Sequence, residues 1–259
     1  MKDERLILVS NDDGIDSKGI NSLVEVAREF GRVVVAAPSE AMSGMSHAIT
    51  IKTPLRVRKV YDDGKVTRYS CLGTPVDSVK LAFNSLMGRR PDLVLSGINH
   101  GSNSSASVVY SGTMAAAMEG CVNHVPSAGF SLLDYDPDAD FSYAQEIARN
   151  VIAEIIRNGL DDGVCLNVNI PAKPKEEIRG IKICRQAKGY WKEEFDKRTD
   201  PHRGEYYWLT GSFFNVEPDS EDTDEFALNN DYVSIVPIKV DLTDYQSLSK
   251  LNNWKLNGS

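Results

Sequence analysis

The chain has 259 residues, 41% hydrophobic and 25% charged, with a net charge of -8. That suits one large folded domain, or a domain with an appendage. The acidic balance speaks against a general binder of nucleic-acid polymers, and no apolar window approaches the ~18 residues of a membrane span. Met1-Lys2-Asp3-Glu4-Arg5 leads into only a short apolar run, unlike a signal peptide. Cys71, Cys121, Cys165 and Cys184 form no CxxC pair, so a cytoplasmic protein with free thiols is expected.

In chain order, Leu6 to Val9 reads as a short buried strand running into Asn11-Asp12-Asp13-Gly14. Apolar residues at helical spacing predict a helix over Gly19 to Phe30, and Val33 to Ala37 is a second strand. This β-α-β unit favours a parallel sheet with a right-handed crossover. Ala48 to Cys71 alternates around Asp62-Asp63-Gly64, which predicts an antiparallel hairpin insertion. Thr74-Pro75 opens a helix to about Met87, with Thr74 as N-cap. Further strands are expected at Asp92 to Ser96, in "PSAGFSL" and in "VCLNVNIP", with helices at Thr113 to Val122 and Tyr143 to Ile156. The fold class is thus α/β, a Rossmann-like, mostly parallel sheet occupying residues 1–171.

Beyond Pro171 the pattern changes. Residues 173 to 203 are rich in Lys and Arg, and residues 217 to 225 hold six acids in nine positions. Between them sit Tyr190, Trp191, Phe195, Tyr206, Tyr207, Trp208, Phe213 and Phe214. Charge runs suit solvated loops, but so many aromatics predict a surface that is covered. Residues 172–259 therefore read as a C-terminal extension. It would carry an oligomerisation arm at about 186–230, the strand "YVSIVPIKV" and a terminal helix from Asp244.

Three strand ends share one character: Ser10 to Gly14, residues 37 to 47, and residues 96 to 103. In an open parallel sheet, ligands bind beyond the carboxyl ends of the strands. The adjacent carboxylates Asp12 and Asp13 can hold a hard divalent cation there, with Ser43 and Asn99 as neutral oxygen donors. Ser111-Gly112-Thr113 precedes a helix whose free N–H groups suit a phosphate. Each piece also has a plainer reading: Asn11 or Asp16 as a helix cap, Ser111 or Thr113 as another, Asp-Asp-Gly as a turn. His47 and His100 fall in candidate site loops, as acid, base, phosphate contact or structural residue. There is no G-x-S-x-G elbow, Walker A pattern or G-x-G-x-x-G after the first strand. Together the loops point to metal-assisted phosphoester hydrolysis.

"NDDGIDSKGI", "VVVAAPSEAMSGMSHAIT", "GTPVDSVKLA", "DLVLSGINHGSN" and "YSGTMAAAMEG", in that order, resemble the SurE family of stationary-phase survival proteins. "RQAKGYWKEEFDKRTDP" and "EYYWLTG" extend the resemblance over nearly the whole chain. It implies a metal-dependent phosphomonoesterase acting on nucleoside 5'-monophosphates, with 3'-monophosphates and short polyphosphate as further substrates. It implies one Mg²⁺ or Mn²⁺ per subunit on Asp12, Asp13, Ser43 and Asn99. Phosphate contacts would come from Asn11, Gly44, Ser111, Gly112 and Thr113, and Asp12 and Asp13 would be catalytic. It further implies a homodimer or homotetramer built through the C-terminal arm. Met42 and Met45, flanking Ser43, and His100, following Asn99, depart from the family's more polar or basic residues. A haloacid-dehalogenase-type phosphatase is the nearest enzyme rival, but its Asp-x-Asp is here Asn11-Asp12-Asp13. Rivals outside catalysis are a nucleotide-binding regulator without turnover and a purely structural oligomer.

Overall fold

The computed structural model describes residues 4–254 and 256. Residues 1–3, 255 and 257–259, the last four within the expected C-terminal extension, lie outside them.

β1 (Leu6–Ser10) is buried at every position, as a central parallel strand covered on both faces must be. α1 (Lys18–Ala27) is capped by Ser17, whose hydroxyl accepts the Ile20 N–H. The cap is thus neither Asn11 nor Asp16, and the helix stops three residues short of Phe30. β2 (Arg32–Pro38) pairs parallel to β1. β3 (Arg56–Asp62) and β4 (Val66–Leu72) form the expected hairpin. Its turn is built by Asp62, which accepts the Gly64 N–H, and Asp63, which accepts those of Lys65 and Val66. Residues 48 to 55 are not a strand, despite their alternation. They contain Pro54, which has no N–H for a ladder, and they run mostly exposed.

α2 (Pro75–Leu81) starts with a capping box between Thr74 and Asp77 and widens into a π-helical turn over Ala82–Leu86. β5 (Leu93–His100), α3 (Gly112–Val122), β6 (Ser127–Leu132), α4 (Ser142–Asn158) and β7 (Val164–Ile170) continue the parallel pattern. β8 (Gly180–Ile183) precedes a long hairpin of β9 (Gly189–Asp200) and β10 (Gly204–Asn215). α5 (Asp224–Asn229), β11 (Tyr232–Lys239) and α6 (Tyr245–Leu251) complete the chain.

The nine-stranded sheet has the order β3-β4-β2-β1-β5-β6-β7-β11-β8. α1 and α4 pack on one face with Ile20, Leu23, Ile147 and Val151, while α2 and α3 cover the other with Val79 and Ala116. A line drawn at residue 171 cuts through this sheet, because β11 pairs antiparallel with β7 and parallel with β8. Among the strands of the described residues, only those of the β9–β10 hairpin stand outside it. From β1 the chain passes to β2 on one side and later returns to β5 on the other, so the switch point lies between β1 and β5.

Candidate metal and phosphate site

Three loops close on that switch point. After β1, Asn11 donates both amide hydrogens, to the Gly14 carbonyl at 2.9 Å and Ser17 Oγ at 2.8 Å. Gly14 adopts φ +99, which a side chain would disfavour. This turn leaves Asp12 buried and Asp13 half-buried. Thr113 donates its hydroxyl hydrogen to Asp12 Oδ1, and its N–H also donates to Asp12. Gly112 makes the approach possible: a Cβ there would lie 2.7 Å from Asp12 Cβ.

The second loop is the end of β5. Its pairing with β6 slips between Ser96 and Asn99, around Gly97 at φ +115, where a Cβ would lie 2.4 Å from the Phe130 carbonyl oxygen. Such irregularities re-aim side chains beside functional sites. The Asn99 amide donates to the carbonyls of His100 and Gly101 at 3.1 and 2.7 Å, which leaves its Oδ1 as the atom free to ligate. The His100 N–H donates to Asp13 Oδ2 at 3.3 Å. The third loop follows β2. The Met42 N–H donates to the Asp12 carbonyl at 2.7 Å, and the exposed Ser43 and Gly44 come next.

These loops line a cleft of about 750 Å³. Asp12, Asp13, Ser43, Gly44, Asn99 and Ser111 form its polar wall; Tyr110, Tyr135, Trp191 and Leu209 give it an aromatic and apolar one. Among the described residues, no lysine or arginine lines it. Burial pushes the Asp12 carboxyl up to about 6, and the Asp13 charge adds to this against the opposing Thr113 hydrogen bond. Burial also raises Asp13, against the His100 N–H. Among the described residues no group of three or more His, Cys, Asp or Glu could hold a metal. The candidate cation site is therefore a mixed one, two carboxylates with a neutral amide and hydroxyl. Two adjacent carboxylates, one buried and one half-buried, with no lysine or arginine among the described residues that line their cleft, fit a hard divalent cation.

The structure thus brings Asp12, Asp13, Ser43, Gly44, Asn99 and Ser111 together. Asn11, Gly112 and Thr113 do not line the cleft; they hold the Asp12 turn and carboxylate from behind. The Ser111 hydroxyl caps α3 by accepting the Met114 N–H at 3.0 Å. His100 lines the cleft, its ring edge-on to Phe141 at 5.1 Å. His47 lies outside the lining and pairs with Glu119. Sequence reasoning missed Tyr110, Tyr135, Trp191 and the Leu209–Thr210–Gly211 stretch. The signal for the last four is the aromatic density of the arm, which in sequence points equally to a partner subunit. The four cysteines are free and buried.

The pattern of the family "Survival protein SurE" matches residues 7–193. The chain is 54% identical to the 5'-nucleotidase SurE of Flavobacterium johnsoniae over 260 residues, covering all of both chains. It is 53% identical to that of Flavobacterium psychrophilum, covering 97% of this chain and 98% of the relative. The crystal structure of SurE from Aquifex aeolicus superposes with a TM-score of 0.81 at 38% identity, covering 95% of this chain and 98% of that one. With the family pattern matched over residues 7–193 and relatives more than half identical along its length, this chain belongs to the SurE family.

Proposed function

We propose that this chain is a divalent-cation-dependent 5'-nucleotidase, hydrolysing nucleoside 5'-monophosphates to nucleoside and phosphate. The observation that carries the reading is the Asp12-Asp13 pair, partly desolvated at the switch point in a cleft where no described residue is a lysine or arginine. Mg²⁺ or Mn²⁺ would be held by Asp12, Asp13, Ser43 Oγ and Asn99 Oδ1, one ion per subunit. Such an ion neutralises phosphoryl charge and lowers the pKa of bound water. The chain's own residues do the rest. Thr113 fixes one Asp12 oxygen, the His100 N–H orients Asp13, and the Asn99 amide is locked so that oxygen faces outward. Gly44 and Ser111 border the space where the phosphate would sit, and the Gly112–Thr113 turn supports it through Asp12. With both carboxylates engaged as ligands, water rather than an aspartate is the favoured nucleophile.

The aromatic wall supports a nucleoside as the leaving group, since a base stacks on Tyr and Trp without hydrogen-bond readout. A 3'-monophosphate and the terminal phosphate of a short polyphosphate would present a terminal phosphoryl group to the same polar wall, and are the further substrates of this reading. No helix among the described residues is long and apolar enough to cross a membrane; the free buried thiols suit the cytoplasm. Copies join through the aromatic arm as dimers or tetramers.

The test is phosphate release from a panel of nucleoside 5'- and 3'-monophosphates with Mg²⁺, Mn²⁺ or chelator. Release is expected only with metal, and Asp12→Asn should lower it at least ~10³-fold. Metal-independent binding of nucleotide without release in any metal would assign the chain to a regulatory class instead.

A further inference from the structure

The loop carrying Ser43 and Gly44 has little of its own to hold it in place. Residues Glu40, Ala41, Ser43, Gly44 and Met45 are exposed. Gly44 and Ser46 both adopt positive φ, at +74 and +52. For serine that conformation is unfavourable and persists only where surrounding contacts impose it. Three such contacts exist beside the Met42 tether. The Ser46 N–H donates to the Tyr110 carbonyl at 3.1 Å, and its hydroxyl to the Val109 carbonyl at 2.7 Å. Next, His47 Nε2 meets Glu119 Oε2 at 3.0 Å.

Glu119 is a singular partner. It lies on α3, seven residues beyond Gly112, and its side chain is 3% exposed. Its other oxygen accepts Lys80 Nζ from α2 at 2.8 Å and the Asn123 amide at 2.9 Å. Burial pushes this carboxyl up, but the His47 and Lys80 hydrogen bonds outweigh that and hold it below the usual glutamate range. The ionised carboxylate therefore accepts, and His47 Nε2–H donates. α3 is then one rigid element with two attachments: its first turn holds Asp12, and its third holds the loop of Ser43.

We infer that His47 is a positioning residue, which clamps the Ser43–Gly44 loop to α3 through buried Glu119 and so sets Ser43 at a fixed distance from Asp12. Removing the clamp leaves Asp12, Asp13 and Asn99 in place and loosens the fourth oxygen donor, whose loop the Met42 and Ser46 hydrogen bonds still tether. The inference rests on the cation reading above.

The experiment is Mn²⁺ binding to the full chain without substrate, by calorimetry, on four proteins: wild type, His47→Ala, His47→Gln and Lys80→Met. Outer residues that orient a ligand commonly govern ten- to hundredfold in metal affinity, so His47→Ala is expected to bind about tenfold more weakly. His47→Gln keeps a donor to Glu119 and is expected within about twofold of wild type. Lys80→Met removes a charge from the same carboxylate without touching the loop; it should lower Tm and leave Mn²⁺ affinity unchanged. Wild-type binding with equal affinity in His47→Ala would overturn the clamp alone. Equal weakening in His47→Ala and Lys80→Met would reduce Glu119 to a general stability element and overturn it too. No Mn²⁺ binding by folded wild type would overturn the cation reading and the clamp together.

Discussion

Asp12 is ionised at neutral pH against the preference of its surroundings. Its carboxyl is raised from 3.8 to about 6 mainly by burial, so the metal-free fold binds this proton more tightly than the unfolded chain does. The sign follows from proton linkage. Between pH 3.8 and 6 the unfolded state releases its proton first, and folding stability falls as pH rises through that window. Above it the ionised, uncompensated Asp12 costs about 3 kcal/mol, at ~1.4 kcal/mol for each tenfold change in proton affinity. Asp12→Asn keeps the shape and an acceptor for Thr113 while removing the charge. In chelator at pH 7.5 it should therefore be about 2–3 kcal/mol more stable than wild type in denaturant unfolding. At pH 4 the two proteins should differ little. Mn²⁺ should stabilise wild type and not the variant, because a ligand shifts stability only by binding the folded state. A variant no more stable than wild type at pH 7.5 would mean that Asp12 is better solvated than its burial implies.

At the scale of elements, the β9–β10 hairpin lines the cleft, a placement that its aromatic composition alone does not specify. Trp191 from β9 and Leu209 to Gly211 from β10 line the same cleft as the carboxylates. Trp191→Ala should raise KM for nucleoside monophosphates roughly tenfold, the order of one lost stacking contact, with kcat nearly unchanged. KM for glycerol phosphate, which offers no base, should stay within about twofold. A matching rise for both substrates would move Trp191 from leaving-group contact to support of the phosphate wall. The central strands, by contrast, were legible, because unbroken runs such as Leu6 to Val9 have no competing environment in a parallel sheet. Asp12, Asp13, Ser43 and Asn99 could be placed together because each follows such a strand. Three features were not legible. The alternation at residues 48 to 55 imitates a strand, but only a neighbour with free N–H groups makes it one. The choice of Ser17 over Asn11 as cap depends on Asn11 being occupied with Gly14. The roofing by Trp191 depends on where a hairpin folds, which periodicity does not encode.

At the scale of the whole molecule, the arm can be removed without dismantling the sheet. The Val216 N–H donates to the Lys188 carbonyl at 3.0 Å, so the two ends of the hairpin already meet. Just outside it, buried Asp224 accepts the N–H groups of Ser105 and Ala187 at 2.8 and 2.9 Å. It ties the hairpin's root to the loop that leads to Ser111. A deletion of 186 to 230 would destroy that tie, whereas replacing residues 189 to 215 by two glycines preserves it. The excised segment exposes Tyr190, Phe195, Tyr207, Trp208 and Leu209 by half or more of their surface, a patch of the kind that marks a contact between proteins. The shortened chain should fold, with a Tm within a few degrees of wild type, and sediment as a monomer. It should still release phosphate from glycerol phosphate but lose its preference for nucleotides along with Trp191. Unchanged particle size would show that copies join elsewhere. The next exposed apolar face is then α6 and its flanks, where Leu242 is 94% exposed and Tyr245 and Trp254 are 60% and 63% exposed. Loss of the glycerol phosphate reaction together with assembly would instead mean that the metal site needs the partner subunit.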